Sequence, residues 1–325
     1  MRRFVLPVVG AFVLAVGIFT GVEVAFTLRS QAEDNAERAR TTMASVREFY
    51  THAAEQDAVT MAIATRLLSR EGGLREAFLA GDGLRLRQLA EPVLATLRDI
   101  ENIAELTFLE SGGRVVASLN VDSASGPQAY PTVEQAAASG GTTAGLELDG
   151  QGRLWLRVVQ PWREADGRVL GYIQVARGIE QHIRAIKRMT GADLAVLLDK
   201  SVLDRERWEK AERAAGRQPE WIATSPAVST AHTFRQLPPD LMALADAIPE
   251  GGYQEIRRDG MLWLAQWTPF NDITGRRIGR VVIFADASAA LQRTALAFQR
   301  LGLLTLSGIL MSGIFYLLIA RIDRR

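Results

Sequence analysis

The sequence has 325 residues and a formal net charge of +1, which is enough chain for about two domains with hydrophobic cores. A charge this close to zero argues against nucleic-acid binding, which requires a basic surface. Three His and no Cys argue against a zinc, iron–sulfur or thiol site, so we predict no metal and no cofactor.

The chain starts with an apolar stretch preceded by two arginines. Residues 4–22 are almost entirely apolar, which is long enough to span a bilayer. The stretch exceeds the roughly 7–15 apolar residues of a cleavable signal peptide, so we predict an uncleaved anchor helix over residues 1–28. Gly17 and Gly21 form a GxxxG pair, a spacing that lets membrane helices pack closely.

A second apolar stretch lies at the other end of the chain. Residues 301–320 carry no charge and are followed directly by arginines. Because positively charged segments stay in the cytoplasm, we predict two membrane spans with both termini cytoplasmic and residues 29–300 outside.

A long polar helix is predicted directly after the first span. Residues 30–70 lack Pro and Gly, and their apolar residues recur at helical spacing. Glu71 and the glycine pair after it are expected to end this helix as a glycine C-cap, which gives an extracytoplasmic helical segment over residues 29–73.

Residues 74–190 are predicted to form a first lobe of helices and strands. The helices are expected at 74–80, 84–99 and 178–189, and a loop at 120–141 is expected to contain a short helix at 132–138. Alternating and β-rich segments predict strands at 104–109, 114–119, 143–148, 153–160 and 168–177.

Residues 191–287 are predicted to repeat this plan in a shorter second lobe. Ser201 and Asp204 are expected to form a capping box for the following helix, and Pro238 to open another helix. Strands are expected at 192–198, 221–224, 253–257, 261–268 and 277–285. From Ser288 a helix runs without a linker into the second span, so residues 288–325 form an exit helix, a span and a cytoplasmic stub.

One segment of the chain occurs twice. Residues 154–177 align without gaps to residues 262–285, and both copies contain Leu-Trp-Leu, one Pro, a Gly-Arg pair and a further Gly at matching positions. Each copy has the pattern of a β-hairpin. Two copies of one hairpin indicate two similar lobes in tandem.

This organisation resembles the double Cache domain of bacterial transmembrane receptors. The resemblance covers about residues 29–300, and the sequence Gly-Ala-Asp-Leu-Ala-Val-Leu-Leu-Asp at 191–199 is similar to the sensor-kinase branch of that family. It implies an α+β fold in which two tandem PAS-like (Cache) lobes lie on a long N-terminal helix between two transmembrane helices. The lobe formed by 74–190 would be membrane-distal and the lobe formed by 191–287 membrane-proximal.

The resemblance also implies a function. Such receptors lie in the inner membrane of a bacterial cell, bind a small molecule on the extracytoplasmic side and pass the signal across the membrane, usually through a HAMP segment and an output domain. This sequence stops at Arg325 without either, so we expect a cytoplasmic or membrane signalling partner. We also expect a homodimer whose interface is formed by the glycine face of the first span and by residues 30–70.

Strand alternation sorts the first hairpin into two faces. One face is apolar and suits packing against the long helix; it contains Leu154, Leu156, Val158, Val169, Ile173 and Val175. The other face contains Trp155, Arg157, Tyr172 and Gln174. An Arg fork, an amide and aromatic surfaces suit a small carboxylate or an amino acid, and Tyr130 in the preceding loop could close over it.

An alternative interpretation of the polar face is the solvated side of an antiparallel sheet. The repeat bears on this choice, because Arg157 aligns with Ala265 and Gln174 with Val282. The second lobe is therefore predicted to transmit a signal, and a change at Arg280 should leave binding intact.

Catalysis is not predicted. The sequence contains no GxSxG, HExxH, P-loop or GxGxxG motif, and the three His residues are scattered. A second functional hypothesis is an accessory or structural membrane subunit whose lobes bind a partner protein without a small ligand.

Overall fold

The computed structural model describes residues 2–119, 130–235, 241–249, 251–258 and 261–322. The chain begins with a single helix of 67 residues, α1 (Arg2–Leu68), and ends with a helix of 35 residues, α8 (Ser288–Ile322). Between these helices lie two five-stranded sheets with shorter helices, which is an α+β architecture.

The first sheet has the strand order β2-β1-β5-β4-β3 and is antiparallel. Its strands are β1 (Glu105–Glu110), β2 (Val115–Leu119), β3 (Thr143–Leu148), β4 (Leu154–Arg163) and β5 (Val169–Gly178). The accompanying helices are α2 (Gly72–Leu79), α3 (Gly83–Glu101), α4 (Pro131–Ser139) and α5 (Ile179–Thr190). The predicted helix in the loop is confirmed as α4.

The second sheet has the order β7-β6-β10-β9-β8, which is the same order as the first when each strand number is raised by five. Its strands are β6 (Asp193–Asp199), β7 (Ala227–His232), β8 (Gln254–Arg258), β9 (Met261–Asn271) and β10 (Arg277–Asp286). Its helices are α6 (Arg205–Ala214) and α7 (Leu241–Ala247), with a short 3-10 helix at Lys200–Val202. The repeated hairpins are β4–β5 and β9–β10, as predicted.

The chain divides into two compact units. One unit comprises Met1–Thr42, Tyr253–Ala265 and Ala285–Arg325, and the other comprises Met43–Gly252 and Gln266–Phe284. In the first unit the hydroxyls of Thr20 and Thr305 lie 3.1 Å apart, which brings α1 and α8 together.

No helix in the described part of the chain has a segment that is both long and apolar enough to cross a lipid bilayer. The spans predicted at 4–22 and 301–320 lie partly outside the residues whose side chains are described, and they stay predictions.

The apolar face of the first sheet packs against α1, as predicted. Met61 and Leu68 of α1 share a buried cluster with Leu156 and Ile173 of the sheet. The prediction for Val169 is wrong, because the register between β4 and β5 shifts near this end of the hairpin. The shift turns Val169 toward the opposite face of the sheet, where it packs in a cluster with tyrosines.

The Gly residues shared by the two hairpins have two structural roles. Gly167 and Gly275 occupy the turns with φ of +89° and +83°, a conformation that other L-residues rarely adopt. A Cβ on Gly171 would overlap the carbonyl oxygen of Leu109, and a Cβ on Gly279 would overlap the equivalent oxygen on β6. The repeat is thus maintained by backbone geometry.

Two predictions of helix caps are corrected by the structure. The glycines at 72 and 73 do not cap α1, because Gly72 begins α2 with Glu71 at its N-cap. The cap of α6 is Asp204 alone, whose side chain accepts from the backbone N–H of Arg207, and Ser201 lies in the 3-10 helix.

The remaining differences concern the second lobe. Residues 221–224 form no strand. The edge strand that pairs with β6 is instead β7, which begins just after Pro226, a residue without an N–H to donate. Pro238, the predicted start of a helix, lies outside the described residues, and α7 is described from Leu241.

Candidate functional site

The register of the first sheet brings its polar residues onto one face. Arg157 on β4 pairs with Ala176 on β5, which in turn pairs with Glu105 on β1, so Arg157 and Glu105 point to the same side. The adjacent row contains Gln174 on β5 and Thr107 on β1. This face, opposite the one covered by α1, is called the site face below.

Arg157 lies at the centre of the site face and is only 1% exposed. Its Nη1 donates to Glu105 Oε1 at 2.9 Å, and its Nε lies 3.3 Å from Glu147 Oε1. Burial opposes the charged form of Arg157, but these two carboxylates outweigh it and raise the pKa of the guanidinium. Arg157 therefore stays charged inside the lobe.

Glu147 connects the sheet to α4. Its Oε2 accepts from the backbone N–H of Thr132 at 3.1 Å and from the hydroxyl of Thr132 at 2.6 Å. Burial raises the pKa of the Glu147 carboxyl, although Arg157 and the Thr132 hydrogen bonds lower it in part. Helix α4 is thus fixed to the site face at its N-terminal turn.

Two aromatic rings flank the guanidinium of Arg157. Its Cζ lies 5.0 Å from the ring centre of Tyr130 and 5.9 Å from that of Trp155, both within cation–π range. Burial, then the charge of Glu105, raises the pKa of Tyr130 to about 12, so its hydroxyl remains protonated at neutral pH. Trp155 Nε1 donates to Asp149 at 2.9 Å.

The remaining predicted site residues have different surroundings. Gln174 is fully buried, and its Nε2 donates to Glu105 Oε1 at 3.2 Å, while its own Oε1 has no partner among the described residues. Tyr172 packs with Tyr130 and Val133 in an apolar cluster between the sheet and α4. All five predicted residues, namely Arg157, Tyr172, Gln174, Tyr130 and Trp155, thus lie on the site face or in the helix connection above it.

The interpretation of this face as a solvated sheet surface is wrong, because its central polar side chains are buried beneath α4 and Tyr130. Sequence reasoning missed Glu105, Glu147 and Thr132. A signal for Glu105 was present in the sequence: Glu105 and Thr107 are polar residues at alternate positions of an otherwise apolar strand, so both are expected on one face of the sheet. The loop expected to close with Tyr130 lies at 120–129, outside the described residues.

The corresponding face of the second lobe has a different composition. Ala265 and Val282 replace Arg157 and Gln174, as the alignment predicted. An ion pair joins Arg280 to Asp246 of α7, and the Arg280 guanidinium lies 5.8 Å from the ring centre of Trp267.

A further polar cluster ties α1 to the strand that carries Gln174. Asp57 on α1 pairs with Arg177 at the end of β5, and its Oδ2 lies 3.1 Å from Nδ1 of His182 on α5. Arg177 and His182 are both buried, and burial lowers the pKa of Arg177. One carboxylate of the long helix thus holds β5 and α5 together.

No group of three or more metal-ligating side chains occurs among the described residues. The site face offers carboxylates, an amide, a guanidinium and aromatic rings, which suit non-covalent binding of a small polar molecule.

Comparison with known proteins gives one family match. A family model described as the double sensory domain of two-component sensor kinases, dCache_3, matches residues 34–291. No curated protein is similar enough in sequence to count as a relative.

Several solved structures are similar in fold. The periplasmic domain of LuxQ from Vibrio cholerae is 12% identical, with a TM-score of 0.47, covering 76% of this chain and 99% of that chain. The chemoreceptor Tlp3 ligand-binding domain from Campylobacter jejuni, solved with L-valine, is 11% identical (TM-score 0.39, 82% and 96% covered). The chemoreceptor PctC domain from Pseudomonas aeruginosa PAO1, solved with GABA, is 17% identical (TM-score 0.38, 78% and 100% covered).

Proposed function

Because the chain belongs to the family of double sensory domains of two-component sensor kinases, we propose that it is a membrane-anchored extracytoplasmic sensor of a small molecule. The observation that supports a ligand is the site face, where charged and aromatic side chains converge beneath α4. Burying charged groups costs free energy, and the second lobe has the same fold without this cluster, so the fold does not require it. The ligand would therefore bind in the first lobe.

A ligand screen tests this function directly. The full chain, purified in detergent, is heated with individual amino acids, amines, carboxylates and sugars, and a ligand should raise its melting temperature. The response should disappear in Trp155→Ala and persist in Trp263→Ala, the matched tryptophan of the second hairpin. A chain that no compound stabilises contradicts the proposal.

Membrane anchoring is the second element of the proposal. Exposed large apolar side chains are frequent between residues 14 and 28 of α1 and between 303 and 317 of α8, a pattern that supports contact with lipid. External protease should remove the middle of the chain from sealed cells and leave both ends protected. A reporter at Arg325 that is active only outside the cytoplasm would contradict this topology.

Signal transmission would use a homodimer and a signalling partner. In the first span, Cβ atoms added to Gly17 and Gly21 would meet nothing within 4 Å, which leaves that face open to a second copy. Glu37 and Ala44 are exposed on α1, and cysteines placed there should cross-link two copies. Failure at every position of one helical turn would contradict a parallel dimer.

A partner-binding subunit is the second candidate function. It is favoured by Val59, Ile63 and Leu67, which are more than half exposed and spaced four residues apart on α1. Replacing all three by Ser should abolish capture of a partner protein under this alternative, whereas ligand-induced stabilisation should survive.

A further inference from the structure

The site face has an excess of negative charge. Two carboxylates, Glu105 and Glu147, surround one guanidinium, and all three side chains are at least 96% buried. Asp149 does not alter this balance, because it is paired separately with Arg153 at 2.8 Å. The centre of the site therefore has a net charge of −1 when its acids are ionised.

The charge of the Arg157 guanidinium is already paired with two carboxylates, although its Nε makes no hydrogen bond among the described residues. The guanidinium pairs with Glu105 and Glu147 and lies between the rings of Tyr130 and Trp155. A ligand carboxylate would have to displace one of these carboxylates or become a third buried anion. Like charges that are close together and shielded from water repel strongly, so this face disfavours an anion.

The hydrogen-bond balance of the site points in the same direction. Gln174 is oriented by Glu105, because only the amide NH₂ can donate to that carboxylate oxygen, 3.2 Å away. The Oε1 of Gln174 is consequently a buried acceptor without a partner among the described residues. A protonated primary amine has three donors and no acceptor, so it can donate to this Gln174 oxygen.

The aromatic residues also favour a cation. Ring faces attract positive charge, and Trp155 is only partly buried, which leaves part of its surface available. The pKa of Tyr130 is raised to about 12 because burial and the nearby carboxylates have a larger effect on its hydroxyl than the positive charge of Arg157.

We propose that the first-lobe site binds its ligand through a protonated amine. The acceptors are Glu105, Glu147 and Gln174, and Tyr130 and Trp155 form the aromatic walls. Arg157 is a positioning residue that holds the two carboxylates together. This inference rests on the proposed sensor function and narrows the ligand from carboxylates and amino acids in general to organic amines.

Three compounds that share one four-carbon chain test the proposal. Putrescine has an amine at each end, GABA has an amine and a carboxylate, and succinate has two carboxylates. Calorimetric titration of the full chain in detergent should rank them putrescine, GABA, succinate, with at least about a tenfold difference in Kd between the first and last. Succinate binding equal to or tighter than putrescine binding would overturn the proposal.

A variant that removes one carboxylate charge tests whether the amine binds at the site face. Glu147→Gln keeps an oxygen for the Thr132 hydrogen bonds but removes the charge, so putrescine should bind about tenfold more weakly. The control is Asp246→Asn in the second lobe, which should leave the Kd unchanged. Unchanged binding in Glu147→Gln would overturn the assignment, and if that variant does not fold, the ranking on the unmodified chain decides.

The outcomes also separate this inference from the proposed function. A chain that is stabilised only by compounds without an amine overturns the amine assignment and leaves the sensor function standing. A chain that responds to no compound at all overturns both.

Discussion

The two lobes share a fold and differ in the chemistry of one sheet face. Strand order, hairpin turns and glycine positions are the same in both. The first lobe, however, buries Arg157 between two carboxylates, whereas the second has Ala265 at that position and a cation at Arg280, the position of Tyr172. The comparison shows that the features which fix the backbone are separate from those that would select a ligand.

The hairpin turns show how closely the backbone is maintained. The N–H of Gly167 donates to the carbonyl of Glu164 at 3.0 Å, and that of Gly275 donates to Asp272 at 2.9 Å. In both hairpins the following arginine pairs with the acidic residue that begins the turn. Side chains beyond the turns are free to differ.

The largest expected effect is a difference in stability between variants of Arg157 in the first lobe and of Arg280 in the second. Arg157→Ala leaves two buried carboxylates without their partner and should lower the free energy of unfolding by about 3–5 kcal/mol. Arg280→Ala should cost about 1 kcal/mol, because Asp246 is 29% exposed and can be hydrated. Urea denaturation of both variants measures the difference. Equal losses would mean that the two arginines contribute equally to stability, which would contradict the comparison.

A second prediction tests the shared backbone. Gly171→Ala and Gly279→Ala each force a Cβ into a neighbouring carbonyl oxygen, and each should destabilise the chain by about 1–3 kcal/mol. Gly112, where an added Cβ meets nothing within 4 Å, is the control position. A loss in only one hairpin would show that the two copies are not packed in the same way.

A third prediction uses pH to identify the buried acid. The folded-state pKa of Glu147 is raised above its unfolded value, so its contribution is full below about pH 4.3 and is lost as pH rises through the folded pKa. Glu147→Gln should therefore become more stable relative to the unmodified chain as pH rises from about 4 to neutrality. Melting curves at several pH values measure this trend.

A second variant, Thr132→Val, sharpens the pH series. This change removes the hydroxyl hydrogen bond that lowers the pKa of Glu147, so the stability of Thr132→Val should fall more steeply with rising pH than that of the unmodified chain. A flat difference between Glu147→Gln and the unmodified chain across this range would contradict the assigned role of burial.

The smallest effect is expected at the turn arginines. Arg168 and Arg276 each pair with an acidic residue four positions earlier, and both are at least 60% exposed. Pairs with a solvent-exposed arginine contribute little, and Asp272, which is only 8% exposed, keeps its hydrogen bonds from the backbone N–H groups of Thr274 and Arg276. Replacing either arginine by Ala should therefore lower the free energy of unfolding, measured by urea denaturation, by less than about 0.5 kcal/mol. A larger loss in one variant would indicate a contact specific to that lobe.

The sheets could be predicted from the sequence because strand alternation and turn glycines are local signals. The repeat at 154–177 and 262–285 also establishes the equivalence of the two hairpins from the sequence alone. Helix ends were less predictable: Gly72 looks like a C-cap by composition, but in the fold it begins α2. The packing of α2 on its neighbours decides this, and packing is not a local signal.

The candidate site could be predicted only in part. Arg157, Trp155 and Gln174 were found because one hairpin presents them together. Glu105 was missed because it lies 52 residues from Arg157 in sequence, and only the pairing of β1 with β5 brings them together. A carboxylate at the start of a strand resembles a solvated end until its cross-strand partners are known.

The contacts of Asp57 with Arg177 and His182 set a mechanical limit on the long helix. Advancing α1 by one residue past the sheet would translate it 1.5 Å and rotate it by 100°, which would carry the carboxylate away from both Arg177 and His182. Displacements smaller than this step can keep both contacts. Larger ones must break the Asp57–Arg177 ion pair, which limits how far α1 can slide along the sheet.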